Sequence, residues 1–191
     1  NPGWLYQQST MRDAVVAASS LNIFHKYTDR VKMANIAQVV NVLQSMILTN
    51  EKNPADKCVL TPTYHVFKMY NVHKEATHIP GDLTCNYISV NAKEQVPTVS
   101  YTASKDQNGV IHVSLTNMDV ANQHVISLNV EGMKVKGADG EIITAKDVHA
   151  YNDFGHPEDV KTVAFNGAKV SKDGKLTVTI PAHSVVTLTL K

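Results

Sequence analysis

Apolar and polar positions divide this chain into two parts with different periods. In the first, Met11, Ala14, Val15, Ala18, Leu21 and Phe24 or His25 recur at steps of three or four. That spacing predicts an amphipathic helix from about Leu5 to Tyr27 with a single apolar stripe. Arg30 to Ile36 (RVKMANI) reads as a short strand whose apolar stretch enters a polar end. Val39 to Leu48 is apolar without a decisive period, and strand and helix both fit it. Thr61-Pro62 predicts a helix start, because the threonine hydroxyl can cap a free N–H and proline at the first helical position loses no needed hydrogen bond. Val66, Phe67 and Tyr70 would form that helix's buried face, which fades near His73 and stops before Pro80.

Beyond Pro80-Gly81 the period becomes two. Ile111, Val113 and Leu115 alternate with His112, Ser114 and Thr116, and Ile126, Leu128 and Val130 alternate with Ser127 and Asn129. Leu176, Val178 and Ile180 alternate with Thr177 and Thr179, and Val186, Leu188 and Leu190 close the chain in the same way. Asn108-Gly109, Glu131-Gly132, Asp139-Gly140 and Asp173-Gly174 supply turn formers between such segments. Half-buried antiparallel strands joined by tight turns indicate a β-sandwich.

The first part, one helix, one strand and another helix, resembles the end of a repeating β/α series. The pattern predicts the fold class α+β: the end of a β/α series over residues 1–79, then an antiparallel β-sandwich over residues 80–191. The strand–helix units that should precede this end do not occur after Asn1, which predicts a truncated series. Truncation would leave the Met11–Leu21 stripe uncovered, so self-association, or looser packing of the first 78 or so residues, is expected.

Composition narrows the function classes. The 191 residues are 43% hydrophobic and 18% charged with a formal net charge of +1, as in ordinary globular chains. No run of Lys or Arg exceeds two, so no nucleic-acid or anionic-membrane footprint is present. No apolar stretch approaches the roughly 20 residues that span a bilayer. Asn1-Pro2-Gly3 reads as an internal start without a targeting segment, and the compartment stays open. Cys58 and Cys85 fit free thiols or one bridge.

The histidines do not predict a metal site: His73 and His78 are five apart and His149 and His156 seven apart, neither a usual zinc spacing. No cofactor motif occurs. A glycosidase needs two carboxylates across the scissile bond, about 5 Å apart for retention. Here Asp13 follows Arg12 off the apolar stripe, Asp29 precedes the strand, Glu51, Asp56, Asp106, Asp139 and Asp173 fall in predicted turns, and Glu158-Asp159 follows a proline. These read as turn or capping acids. More specific is the run Met33 to Asn41, which would place Asn35 and Gln38 at the carboxyl end of a buried strand, the end that faces the active site in a (β/α)8 barrel. An amide both gives and accepts hydrogen bonds, as a sugar hydroxyl requires. Asn35, Gln38 and Asn41 equally suit the satisfaction of loop backbone.

Four runs together resemble the family 51 α-L-arabinofuranosidases: Tyr6 to Ala14, VKMANIAQVVNVLQ from Val31 to Gln44, LTPTYHVFKMY from Leu60 to Tyr70, and Gly140 through Leu190. The resemblance implies that residues 1–79 are the tail of a (β/α)8 barrel, in a parent with that barrel and an appended sandwich that hydrolyses terminal α-L-arabinofuranosyl groups with retention, through a glycosyl-enzyme intermediate. It implies that the nucleophile and acid/base glutamates both lie upstream of Asn1, so no catalytic residue is expected in this chain. Gln38 matches the glutamine that hydrogen-bonds the bound arabinose, with Asn35 and Asn41 in support. Trp4 would lie near the site rim, stacking on sugar or anchoring the core. Tyr151 and Asp153 depart from the family pattern, which often has histidine and threonine there. The implied partners are arabinofuranosyl-containing oligosaccharides or polysaccharides and, as a homo-oligomer, further copies of the chain. A carbohydrate-binding sandwich is the alternative, set against an aromatic content of 6%; an oligomerisation module is another.

Overall fold

The computed structural model describes residues 7–50, 52, 53 and 55–191. Helix α1 (Met11–Lys26) starts later than the periodicity predicts, because Thr10 and Asp13 form its cap. The Asp13 carboxylate accepts from the Thr10 N–H and hydroxyl, both at 2.8 Å. Two short strands, β1 (Ile47–Leu48) and β2 (Val59–Leu60), pair and lead into α2 (Pro62–Met69). The Thr61 hydroxyl accepts from the Tyr64 N–H, as the Thr-Pro start predicts. A 3-10 turn at Tyr70–His73 ends this layer.

The strands that follow are β3 (Thr77–His78), β4 (Tyr87–Ser89), β5 (Gln95–Pro97), β6 (Val99–Lys105), β7 (Ile111–Asn117), β8 (His124–Leu128), β9 (Ala138–Ile143), β10 (Val163–Ala164), β11 (Ala168–Val170), β12 (Leu176–Ile180) and β13 (Val185–Leu190). Six form one antiparallel sheet in the order β10-β9-β13-β7-β6-β3, faced by a three-stranded sheet β11-β12-β8, and β4 and β5 form a separate hairpin. Val113, Leu115, Val186 and Leu188 of the large sheet pack on Leu176, Val178 and Ile180 of the small one to make the sandwich core. Gly109, Gly132 and Gly174 take positive φ in the connecting turns, where a side chain would be strained.

Three sequence expectations need correction. Asp139-Gly140 is not a turn but lies inside β9, paired with Thr189 and Leu188. Glycine is needed there for close approach, since a Cβ would come within 2.7 Å of the Leu188 side chain. Arg30 to Ile36 forms no strand among the described residues, for a strand needs a neighbour and none flanks it. The Met11–Leu21 stripe is not left open: Met11, Ala14, Val15, Ala18 and Leu21 are buried with Val66, Met69, Ile143 and Val185. The exposed apolar side chains of α1 are instead Val16, Ile23 and Phe24, on another face.

The polar alternates of β6, β7 and β13 are likewise not solvated. They meet the helical layer through a buried hydrogen-bonded seam. Asn22, fully buried, donates to Ser100 at 3.1 Å and Thr116 at 3.2 Å and accepts from the Tyr70 hydroxyl at 2.7 Å. The ring nitrogens of His73 bond the hydroxyls of Ser104 (2.7 Å) and Ser114 (2.8 Å), and Ser114 continues to Thr187 at 2.9 Å. His25 bonds Thr102 and sits with its ring centroid 5.1 Å from that of His73. No buried side-chain nitrogen or oxygen among the described residues lacks a partner.

This seam depends on neutral imidazoles. Burial, then His25, His112 and His78, hold the His73 pKa down to about 3. Burial, then His78, lowers that of His25. Below about pH 6.5 an unfolded chain protonates the His73 ring while the folded chain, down toward pH 3, does not. The stability is thus complete above pH 6.5 and is lost as pH falls toward the folded value, at up to about 1.4 kcal/mol per pH unit for His73. The thermal midpoint is expected to drop between pH 7 and pH 5, and to drop less in His73→Gln. Equal drops in both chains would remove His73 as the titrating group.

Candidate functional site

The segment between α1 and α2 carries the amides singled out in the sequence. Beyond Ile36 the chain folds on itself: the N–H groups of Met46 and Ile47 both donate to the Val39 carbonyl at 3.0 Å, and Asn41 turns the backbone with φ 62°. The Asn41 side chain serves this turn, accepting from the Thr49 N–H and donating to its hydroxyl, both at 2.7 Å. Asn41 is therefore a loop-satisfying amide. Asn35 lines a hollow of about 200 Å³ together with Val16, Ala17, Leu21 and Phe24 of α1 and Phe67 of α2. Gln38 is exposed and does not line that hollow. The two amides are thus not brought to one pocket by the described residues. Trp4 lies outside the described residues.

Asp13 caps α1 and Asp56, Asp106 and Asp173 lie in turns or loops, as their sequence positions suggest, whereas Asp139 lies in β9 beside Lys191 and Glu51 lies outside the described residues. For Asp106 and Asp147 the leading cause is a backbone N–H, from Val110 and His149 respectively, that holds the carboxyl below the usual range. For Asp119 burial pushes upward, but donors from Ala121, Asn122 and His124 outweigh it and hold the group at about 2. Such carboxylates stay ionised and are unsuited to protonating a leaving group. Among the described residues no cluster of three or more His, Cys, Asp or Glu side chains is placed to hold a metal ion. Cys58 and Cys85 are free thiols. The larger hollow, about 730 Å³, opens between the two sheets and is lined mainly by aliphatic side chains such as Leu83, Val113, Ile126 and Leu128.

What sequence reasoning missed is the connection from β9 to β10, residues 144–162. It seats on the starts of both helices. The Met11 and Arg12 N–H groups, free ends of α1, donate to the carbonyls of Ala150 and Val148 at 2.8 Å. Thr10 and Tyr151 form an antiparallel bridge. Asn152, fully buried, donates to the carbonyls of Leu60, just before α2, and Val160, and accepts from the Val160 N–H, each at 2.8 Å. Ser9 and Thr63 join the two helix starts through their hydroxyls at 3.0 Å. A buried asparagine within a turn-rich stretch has no periodic signature, so nothing in the sequence pattern marks it.

Comparisons place this arrangement among known proteins. The family model for the α-L-arabinofuranosidase C-terminal domain matches residues 1–184. An intracellular exo-α-L-arabinofuranosidase of Bacteroides ovatus is 55% identical over 189 residues, which are 99% of this chain and 36% of that protein. The crystal structure of a family 51 arabinofuranosidase from Xanthomonas axonopodis pv. citri superposes with a TM-score of 0.92 at 44% identity, covering 100% of this chain and 38% of that one. An arabinose complex of the Thermotoga maritima α-L-arabinofuranosidase, at 22% identity, TM-score 0.83 and coverage of 97% and 39%, shares the fold. The chain spans about a third of the length of the curated relatives it matches.

Replacing Asn152 by alanine would leave the Leu60 and Val160 carbonyls and the Val160 N–H without their partner. A loss of about 2–4 kcal/mol in unfolding free energy is expected, read by urea denaturation. A loss below about 0.5 kcal/mol would show that Asn152 does not tie the loop to the helix starts.

Proposed function

The chain belongs to the α-L-arabinofuranosidase C-terminal domain family, and from that premise we propose that it is the C-terminal third of a glycoside hydrolase releasing terminal α-L-arabinofuranosyl groups from arabinose-containing glycans. In this reading residues 1–79 complete a (β/α)8 barrel and residues 80–191 brace it as a sandwich. Val31 to Ile36 would be the last barrel strand, ordered by neighbours on either side. Both carboxylates of the retaining mechanism come from polypeptide outside this chain, so the chain alone does not turn over substrate.

The observation that carries this reading is the match of the whole arrangement, helices and sandwich together, to the family. Gln38 supports it: an exposed amide is available to a sugar hydroxyl, whereas Asn35, which lines the hollow beside α1, and Trp4 are the weaker contacts that the resemblance implies. The second face of α1, with Val16, Ile23 and Phe24 exposed, is the surface on which the remaining barrel would pack. In the isolated chain that face is open, and association of copies through it is expected by light scattering.

A protein extended upstream is expected to hydrolyse an aryl α-L-arabinofuranoside, and the 191-residue chain is not. Gln38→Ala in the extended protein is expected to lower kcat/KM roughly two- to tenfold, the value of about 0.5–1.5 kcal/mol for a neutral hydrogen bond to a sugar hydroxyl. The thermal midpoint should not move. An unchanged kcat/KM would remove Gln38 from the sugar site, and turnover by the chain alone would overturn the placement of the carboxylates.

A further inference from the structure

The connection between β9 and β10 carries chemistry that the proposed site does not use. Tyr151 and Phe154 are 43% and 40% exposed, although the segment holding them is internally braced. Asn152 anchors it from beneath, as described above. The Asp153 carboxylate accepts from the N–H groups of Gly155 (2.8 Å) and His156 (2.7 Å), and the backbones of Asp153 and His156 exchange two further hydrogen bonds at 3.2 Å. A fixed loop that leaves two aromatic rings in water forgoes burial worth roughly 25 cal/mol per Å². Its own folding does not require that.

Two Asp–His pairs flank the rings along the chain. Asp147 Oδ1 lies 3.0 Å from His149 Nδ1, and Asp153 Oδ1 lies 3.5 Å from His156 Nδ1. The His149 and His156 side chains are 69% and 70% exposed. The Asp147 carboxylate engages His149 Nδ1, so Nε2 is the His149 ring atom left for an outside partner, while the Asp153 carboxylate is held by backbone N–H groups with the His156 ring in ion-pair range. Aromatic faces beside pre-oriented donors and acceptors are what a sugar needs, since its C–H face is apolar and its hydroxyls both give and accept. No other ligand class matches as well. A phosphate would meet two carboxylates, and a purely apolar partner would leave both pairs unused.

We propose that residues 147–156 form a binding subsite for a neutral oligosaccharide, with Tyr151 and Phe154 stacking on sugar rings and the Asp–His pairs meeting hydroxyls. Its placement relative to the scissile bond rests on the proposed function. The loop sits on the first turn of α1, and barrel helices begin on the face where the active site is built. The subsite would therefore hold the glycan beyond the leaving group, where it governs chain preference and not the chemistry.

Two measurements test this. The first is an NMR titration of the isotopically labelled 191-residue chain with linear α-1,5-arabinopentaose. Shifts are expected at residues 147–156, with affinity weakened at least tenfold in Tyr151→Ala/Phe154→Ala. No shift there, or an undiminished response in the double variant at unchanged thermal midpoint, overturns the subsite. The second measurement compares substrates in the upstream-extended protein. The same double variant is expected to raise KM for the pentaose roughly tenfold and leave the aryl arabinofuranoside unaffected. Equal effects on both substrates, or none, overturn the leaving-side placement. Failure of the extended wild type to cleave either substrate contradicts the proposed function, and the titration result then stands or falls by itself.

Discussion

The architecture depends on how a sheet face made of serine, threonine and histidine can be buried. Ser104, Ser114, Thr116 and Thr187 lie under the helices with almost no solvent contact, and an unpaired hydroxyl in such a place costs on the order of 1–3 kcal/mol. The cost is avoided because Asn22, Tyr70 and His73 project from the helical layer with complementary donors and acceptors. Direction matters here. Apolar helix–sheet contacts tolerate sliding, whereas a chain of hydrogen bonds through Asn22 and His73 is satisfied in one register. The seam therefore sets the angle at which the helices meet the sandwich, and with it the position of the chain's first described residues.

The same logic extends to the far end of α1. There the free N–H groups of Met11 and Arg12 are taken by carbonyls of the β9–β10 connection, and Asn152 ties that connection to Leu60 before α2. Seam and loop hold the two helices at both ends. In an arabinofuranosidase this would make the sandwich a brace for the closing helices of the barrel. It would fix the segment leading into α1 without contributing to bond cleavage, which accords with the commitment of Asp13 to a cap and of Asp106, Asp119 and Asp147 to loop N–H groups.

Much of the fold was legible from spacing. The Thr-Pro helix start, the apolar stripe of α1, the alternation in β7, β8, β12 and β13 and the glycine turns at 109, 132 and 174 follow from local rules that tertiary context did not override. What alternation does not reveal is the material that covers each face. Thr116 reads as a solvent position because nothing local announces that Asn22, ninety-odd residues earlier, will meet it, and Ser114 because nothing local announces His73. Gly140 reads as a turn because a glycine needed for close approach to β13 looks the same in sequence as one needed for positive φ. Residues 31–36 have the composition of a strand but not, among the described residues, the neighbours that make one. Of the candidate amides, Asn41 is taken by its own loop, while Gln38 is exposed. The predicted strand end singled out Asn35 and Gln38 together, and the family resemblance then put Gln38 first.

Polar contacts fasten the helical layer to the sandwich as one cooperative unit. Native-state hydrogen exchange across the whole chain tests it most directly. The account predicts that slow amides of α1 and of β7 and β13 exchange through a common opening, with the same free energy and the same dependence on denaturant. If α1 amides open several kcal/mol more easily while the strands stay protected, the seam does not join the layers and the account is wrong.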